Sequence, residues 1–155
     1  RWLGVPAVDA AMAAPSAALA DPDVRIDLTP RSGPIVLEIE YRVDPARARA
    51  FHGLMQQLQL SRQRNGAYGW SLARDIADVA LWTERYNCPT WSDYLRLRNR
   101  ATQAERDLFE QALTFHLGPE PVRIRRMLER PAGSVRWQDA TPDPGPHAPH
   151  PPHGP

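Results

Sequence analysis

The sequence predicts an α+β fold with the element order β-α-β-β-α-β, built as one four-stranded antiparallel sheet with the helices on one face. Three patterns in its 155 residues indicate this fold. Residues 34–43 alternate between apolar and polar side chains, residues 44–65 repeat apolar side chains at helical spacing, and residues 66–87 are typical of a hairpin.

The first strand and the helix after it are marked by their apolar positions. One face of the run 34–43 carries only apolar and aromatic side chains, so the strand is expected to bury that face. Asp44 and Pro45 then open a helix as its cap and its first residue, and Asn65 and Gly66 end it. The predicted core positions are Ile35, Leu37, Ile39, Tyr41, Val43, Ala48, Phe51, Met55 and Leu58.

A hairpin, a divided second helix and a last strand complete the order. Thr90 caps a short helix, and the capping box of Thr102 and Glu105 opens a second helical piece. This order is the split β-α-β, or ferredoxin-like, arrangement, which leaves the other face of the sheet without a helix. The predicted bounds are 67–74 and 79–87 for the hairpin strands, 75–78 for the turn, 90–100 and 102–116 for the helical pieces, and 122–128 for the last strand.

The prolines divide the chain into three parts. Residues 1–33 are expected to form an extended linker, residues 34–130 the folded domain, and residues 131–155 a disordered tail rich in Pro and His. The tail histidines recur every third residue, which in a polyproline helix spaces them about 9 Å apart, too far for one metal ion. These histidines are His147, His150 and His153.

Charge and composition exclude several function classes. The net charge is +1, from 19 basic and 18 acidic residues, whereas nucleic-acid binding needs a clustered basic excess. Cys88 is the only cysteine, so no internal disulfide can form, a reducing compartment suits the chain, and a buried thiol is expected. No apolar run approaches the roughly 20 residues that span a bilayer. The chain starts at Arg1, and we expect a processed product or a piece of a longer protein.

The aromatic hairpin is the first candidate for a ligand site. An aromatic pocket with one arginine would orient a small acid or a quinone-like ligand. The alternative is that these rings fill the space between sheet and helices, as aromatic side chains in strands commonly do. Both interpretations group Tyr68, Trp70, Leu72 and Arg74 on one side of their strand, and Trp82, Glu84 and Tyr86 on one side of the next.

Charged residues on the first and last strands predict pairing and not catalysis. Arg123 and Arg125 share a side of the last strand, and Glu38 and Glu40 share a side of the first. Cross-strand ion pairs within the chain account for these residues, and so do contacts between subunits. Neither arrangement makes a catalytic site, because arginine stays protonated near neutral pH. His116 ends the last helical piece, where a protonated imidazole is expected to act as a cap that the helix dipole favours.

Over about residues 24–128 the chain resembles a known family. The resemblance rests on EYRVDP (40–45), GAYGW (66–70) and FHLG (115–118), and on Trp91, Tyr94 and Arg96. The family is a soluble C-terminal domain of bacterial major facilitator superfamily permeases of the transmembrane secretion effector group, which includes enterobactin-exporter-like proteins. The resemblance implies a fold like the antibiotic-biosynthesis-monooxygenase type of dimeric α+β barrel, and it identifies no catalytic residue.

Two function classes remain open. In the first, the chain is a non-catalytic domain of an efflux-type permease, on the cytoplasmic side of the inner membrane, acting in dimerisation or small-ligand sensing. In the second, it is a cofactor-free monooxygenase-like enzyme, and the fold alone does not separate the two. The candidate ligand-binding residues are Trp70, Arg74, Trp82, Trp91, Tyr94 and His116.

The expected partners are a second copy of the chain, the transmembrane part of the parent permease and a small organic ligand. No metal, haem or flavin is expected, since no ligand cluster has a workable spacing. A homodimer is expected through the helix-free sheet face, where Val36, Met127 and one of the tryptophans Trp70 and Trp82 would form an apolar centre within a paired, charged rim.

Overall fold

The structure is a computed structural model that describes residues 21–130. Four strands and three helices follow one another in this range, and a single 3-10 turn, Pro45–Arg47, leads into the first helix. The predicted tail with its histidines and residues 1–20 of the linker lie outside the described residues. The strands are β1 (Ile35–Arg42), β2 (Tyr68–Arg74), β3 (Leu81–Cys88) and β4 (Arg123–Leu128), and the helices are α1 (Ala48–Arg64), α2 (Trp91–Arg100) and α3 (Gln103–Thr114).

The strands form one antiparallel sheet in the order β2-β3-β1-β4. Because β1 is central, Ile35 at its start lies opposite Cys88 of β3 on one side and Leu128 of β4 on the other. α1 packs beside α3, and side chains of all three helices join one apolar cluster with the sheet. The predicted ferredoxin-like α+β fold is therefore confirmed, including the division of the second helix into α2 and α3.

The predicted core positions of β1 and α1 meet between the sheet and the helices. The five core side chains of the first strand run are at most 2% exposed, and those of Phe51, Met55 and Leu58 at most 1%. The Phe51 ring lies at the centre, with ring centroids 5.2 Å from Tyr41 and 5.6 Å from Phe115. The alternation of apolar residues along β1 and their helical spacing along α1 thus place one continuous core on one face of the sheet.

The predicted caps form the helix ends that the structure shows. The Asp44 side chain accepts a hydrogen bond from the Ala46 N–H at 2.9 Å, at the start of the turn that leads into α1. Gly66 ends that helix with φ of 100°, a conformation that favours glycine. Thr90 and Thr102 accept hydrogen bonds from the backbone N–H groups three residues on, so α2 and α3 begin where the sequence predicts.

A β-bulge that the alternation does not predict interrupts β2. Tyr68 lies opposite Asn87 while Ser71 lies opposite Arg85, so one extra residue is inserted around Gly69. Gly69 has φ of 61°, a conformation that favours glycine, and a Cβ there would approach the Asn87 side chain to 2.6 Å. The bulge turns Tyr68 to the helix-free face. The prediction that Tyr68 shares one side of the strand with the next three alternating residues is therefore wrong. The residues of β2 that face the helices are Trp70, Leu72 and Arg74.

Paired charges occupy the centre of the helix-free face. The Glu38 carboxylate accepts hydrogen bonds from Arg85 of β3, at 2.6 Å, and from Arg125 of β4, which confirms cross-strand pairing there. Val36 and Met127 lie opposite each other on the same face, but Val36 is only 3% exposed, so the expectation that it contributes to an exposed apolar centre is wrong. The two tryptophans do not lie on this face, because Trp70 donates a hydrogen bond to the buried Glu84 and Trp82 packs on Phe51. The expectation that one of them points outward is wrong, and Tyr68 is the aromatic side chain of this face.

The end of the linker is part of the folded domain. Residues 21–33 form no helix or strand, yet Ser32 is fully buried. The Ser32 carbonyl accepts the Trp91 N–H at 2.7 Å, and the Pro30 carbonyl accepts the Ser92 N–H at 3.0 Å. A Cβ at Gly33 would lie 2.0 Å from the Pro89 carbonyl oxygen, so only glycine fits. The domain thus begins before residue 34, and its first residues are bonded to the start of α2.

Candidate ligand-binding site

A cavity of about 330 Å³ lies between the sheet and the three helices. Its volume is near the lower end of the range for small-molecule pockets. Apolar side chains of β1, β4, α2 and α3 line part of it, including Leu37, Ile39, Leu97, Phe109 and Ile124. The polar side chains that matter for its chemistry are Arg62, Tyr86, Tyr94, Arg98, Glu105 and Arg126.

A buried ion pair lies beside the cavity. The Glu84 carboxylate, whose side chain is wholly buried, accepts a hydrogen bond from Arg62 Nε at 3.2 Å. The Tyr41 hydroxyl and the Trp70 indole N–H each donate to the same carboxylate at 2.9 Å. The Arg62 guanidinium also lies between the rings of Tyr86 and Phe109, 4.9 and 4.7 Å from their centroids. Each charge is therefore compensated, as a buried ion pair requires.

These buried groups do not exchange protons near neutral pH. Burial raises the pKa of Tyr41 well above its usual value, and the Glu84 charge raises it further. Burial likewise raises the pKa of Tyr86. Burial opposes the charged form of Arg62, but the charge of Glu84, the two neighbouring tyrosines and the hydrogen bond to Glu84 together outweigh it and raise the pKa of Arg62. All three side chains hold their ordinary protonation state at physiological pH.

Glu105 joins α1 to α3 at another wall of the cavity. Its carboxylate accepts hydrogen bonds from the Ser61 hydroxyl at 2.6 Å, from the Asn65 amide, and from the Thr102 hydroxyl at 3.2 Å. Burial opposes the charged form, but these hydrogen bonds outweigh it and hold the pKa of Glu105 below its usual value. The capping box predicted from the sequence therefore also serves as a bridge between two helices.

Two tyrosines present hydroxyl groups to the cavity. Tyr94 is 3% exposed, and its oxygen accepts a hydrogen bond from Arg126 Nε at 2.6 Å. Tyr86 is also 3% exposed, and its hydroxyl has no hydrogen-bond partner among residues 21–130. The Tyr94 proton likewise has no acceptor in that range. The cavity thus offers two phenolic donors next to guanidinium groups.

The six predicted ligand-binding residues do not share one site. Tyr94 lines the cavity, and Trp70 lies behind its wall, bonded to Glu84. The Arg74 guanidinium stacks on the Trp82 ring at 5.1 Å and donates to the Val79 carbonyl, near the hairpin turn. Two others line separate hollows: Trp91 lies beside linker residues 22–28, and His116 lies between β1 and the loop before β4.

His116 does not act as the expected charged helix cap. α3 ends at Thr114, and the backbone N–H of Arg42 donates to His116 Nδ1 at 3.0 Å. An imidazole nitrogen that accepts a hydrogen bond carries no proton, so Nε2 holds the proton and donates to the Glu120 carbonyl at 2.8 Å. This geometry requires the neutral form. The prediction is wrong because the side chain joins β1 to the loop instead of facing the helix end.

The sequence contains signals for the functional side chains that the prediction missed. The apolar stripe of α1 continues at the same spacing from Leu58 to Arg62, which places an arginine on the buried side. Glu84 occupies the buried side of β3 between two aromatic residues, and Arg126 lies between Ile124 and Leu128 in the alternation of β4. A charge at a core position indicates a buried partner.

Solved structures of similar fold come from several bacteria. A candidate antibiotic biosynthesis monooxygenase from Caulobacter crescentus matches with TM-score 0.56 at 14% identity, over 65% of this chain and 93% of that one. A protein from Pseudomonas aeruginosa matches with TM-score 0.51 at 20% identity, over 65% and 98%. One from Nitrosomonas europaea, another candidate monooxygenase of this kind, matches with TM-score 0.53 at 13% identity, over 66% and 95%. The fold is that of the antibiotic-biosynthesis-monooxygenase type of α+β protein.

The chain belongs to the transmembrane secretion effector family, whose model matches residues 2–132. It is therefore a transport-related protein, and the family inferred from its sequence motifs is confirmed. No curated protein matches the chain. Among the helices that the structure describes, none has the length and apolar character needed to cross a membrane. Residues 21–130 also contain no group of three or more His, Cys, Asp or Glu side chains that could hold a metal ion.

Proposed function

We propose that the chain is a non-catalytic cytoplasmic domain of an efflux-type permease of the inner membrane. It acts by dimerising through the helix-free sheet face and by sensing a small ligand in the cavity. The family match supports the permease context. The buried, unpaired Cys88 suits a reducing compartment and thus the cytoplasmic side.

The helix-free face carries the proposal of a dimer. Across four strands no helix of the described chain covers it, and it presents Tyr68, 44% exposed, with the partly exposed Met127. At its centre Glu38 is held by two arginines whose side chains remain about half exposed. An apolar area beside paired charges is typical of a non-obligate protein interface. A second copy would place the same features on both sides.

The ionisable groups of the cavity support binding and not catalysis. General acid–base catalysis needs a group that titrates near the working pH. In the cavity the pKa of Tyr86 is raised by burial, and the pKa of Glu105 is held low by its hydrogen bonds. Both groups therefore move away from neutral pH. A pocket of fixed charges and phenolic donors is suited to recognising a ligand without transforming it.

Light scattering across a dilution series tests the dimer. The wild-type chain should show twice the monomer mass at high concentration and dissociate on dilution. Met127→Glu places a charge on the helix-free face and should yield a monomer. Leu60→Glu is the matched control, because Leu60 is 60% exposed on α1, away from that face, and should leave the mass unchanged. A wild-type monomer at every concentration would refute dimerisation.

The alternative function is a cofactor-free monooxygenase-like enzyme. The cavity between sheet and helices, in a fold shared with structures named as such enzymes, favours it. An oxygen electrode separates the two proposals. Oxygen uptake with a panel of polycyclic phenols, above the rate of the heat-denatured chain and reduced by Tyr86→Phe, would establish the enzyme. Uptake equal to the buffer rate with every phenol supports the non-catalytic domain.

A further inference from the structure

Several hydrogen-bond donors at the cavity have no acceptor among residues 21–130. Arg126 uses only Nε, in its hydrogen bond to Tyr94, so its two Nη groups have no hydrogen-bond partner among the described residues. Arg106 donates one Nη to the Ala101 carbonyl at 2.6 Å. The Tyr86 hydroxyl, at the wall of the cavity, adds a donor that has no acceptor among residues 21–130. A ligand that accepts hydrogen bonds could engage these donors without breaking a hydrogen bond within the protein, so the arrangement favours such a ligand.

The charges of the cavity indicate that this ligand is an anion. Four arginines line it against two carboxylates, those of Asp21 and Glu105. Glu105 is fully engaged by its bridge between α1 and α3, and the charge of Arg62 is balanced by Glu84. Besides Arg62, the lining contains Arg98, which pairs with Asp21, together with Arg106 and Arg126, so among residues 21–130 the arginines of the cavity outnumber its carboxylates. Guanidinium groups in such a partly enclosed site favour a carboxylate.

Asp21 belongs to the linker and lies at the edge of this cavity. Its carboxylate is 3.7 Å from the Arg98 guanidinium, and its own side chain is fully exposed to solvent. An exposed ion pair at this distance is weak, so another anion can replace it. The far end of the same helix is also bonded to the linker, through the carbonyls of Pro30 and Ser32. Helix α2 therefore contacts the linker at both of its ends.

We propose that the cavity binds a small organic carboxylate, and that Asp21 is the internal counter-ion that this ligand displaces. The apolar body of the ligand lies on Leu97, Phe109 and Ile124, and its carboxylate contacts Arg98 and Arg126. Binding frees the linker at Asp21 while the bonds at the start of α2 remain. The inference rests on the ligand-sensing part of the proposed function and assigns the ligand class and the segment that responds.

Calorimetry with a matched pair of probes tests the ligand class. The probes are 1-naphthoate and its neutral analogue 1-naphthamide, which share an apolar body and differ in charge. The wild-type chain should bind the carboxylate about tenfold tighter than the amide, as a charge-assisted hydrogen bond predicts. Arg126→Gln should abolish this preference. Arg123→Gln is the control, since Arg123 lies on the opposite face of the same strand.

Asp21→Asn tests the displacement. The variant should bind 1-naphthoate about twofold to fivefold tighter than the wild-type chain and 1-naphthamide unchanged, because only the anion competes with the carboxylate. Trypsin cleavage after Arg25, which is exposed within the linker, should become faster when 1-naphthoate is added, and equally fast without ligand in Asp21→Asn.

Three results would overturn the inference. Neither probe binding at millimolar concentration, or both probes binding equally, would refute a carboxylate site. An Asp21→Asn variant with wild-type affinity for 1-naphthoate and wild-type cleavage by trypsin would refute the role of Asp21 as the displaced counter-ion. Light scattering of the same samples reports dimerisation independently, so a failure of the ligand site is distinguishable from a failure of the proposed interface.

Discussion

Replacing Arg62 by Gln removes one partner of the buried ion pair and should severely destabilise the domain. The Glu84 side chain is fully buried and that of Arg62 is 10% exposed, so the carboxylate would lose its counter-ion without gaining water. Breaking such a pair costs about 3–5 kcal/mol. That is a large part of the roughly 5–15 kcal/mol by which small domains are stable. The rings of Tyr86 and Phe109 would also lose the guanidinium between them.

Arg85→Gln is the matched control for this substitution. Arg85 also pairs with a glutamate, Glu38, but its side chain is 47% exposed and Glu38 keeps Arg125. It should therefore lower the free energy of unfolding by no more than about 1 kcal/mol. Urea unfolding followed by tryptophan fluorescence measures both variants, since Trp70 bonds Glu84 directly.

Two outcomes of the unfolding experiment decide the argument. If Arg62→Gln lowers the free energy of unfolding no more than Arg85→Gln does, the claim that burial makes the Arg62–Glu84 pair important is refuted. The double variant Arg62→Met with Glu84→Leu should recover part of the loss, because it removes both charges from the interior. No recovery would show that the acceptor for Tyr41 and Trp70, and not charge balance, dominates the effect.

Three further predictions follow from particular contacts. Gly33→Ala forces a Cβ against the Pro89 carbonyl and should cost about 1–3 kcal/mol or more in urea unfolding. Gly53→Ala, in open space on α1, should gain about 0.5–1 kcal/mol, and equal effects would refute the steric argument. The lowered pKa of Glu105 means that its carboxylate stabilises the fold above the usual glutamate pKa, and that this stability is lost as pH falls through the lowered value. Glu105→Gln should weaken the fall of the free energy of unfolding with decreasing pH below the usual glutamate pKa. An unchanged dependence on pH would contradict this. Burial, with the charge of Asp93, raises the pKa of Cys88 to about 12. An aromatic disulfide reagent should therefore label this thiol only after unfolding, and fast labelling of the native chain would show otherwise.

The fold was predictable because most of its regular elements carry a local signal of their own. The alternation of residues 34–43 sets the face that β1 buries, and the threonine caps set the starts of α2 and α3. Local pattern and tertiary packing agree at these positions, so a reading of one sequence recovers the order of elements.

The candidate site was predicted less well because it depends on tertiary contacts. A bulge at Gly69 shifts the period of β2 by one residue, and alternation alone cannot place it. The hydrogen bond from Arg42 to His116 joins residues 74 positions apart, so the neutral form of this side chain has no local signal. Four of the six predicted ligand-binding residues are aromatic, yet the polar lining of the cavity includes four arginines and two tyrosines from five elements.

Three charged residues break the apolar pattern of their own element, and all three meet at or beside one cavity. Arg62 ends the stripe of α1, Glu84 occupies the buried side of β3, and Arg126 faces the helices from β4. A buried ion pair is often no more stabilising than apolar side chains of the same volume, so stability alone does not account for these residues. Sequences depart from their local rules chiefly at functional sites. The convergence of three departures from separate elements on the same space therefore supports ligand recognition there, and it favours an anion because the charge of Arg126 remains after Arg62 and Glu84 balance each other.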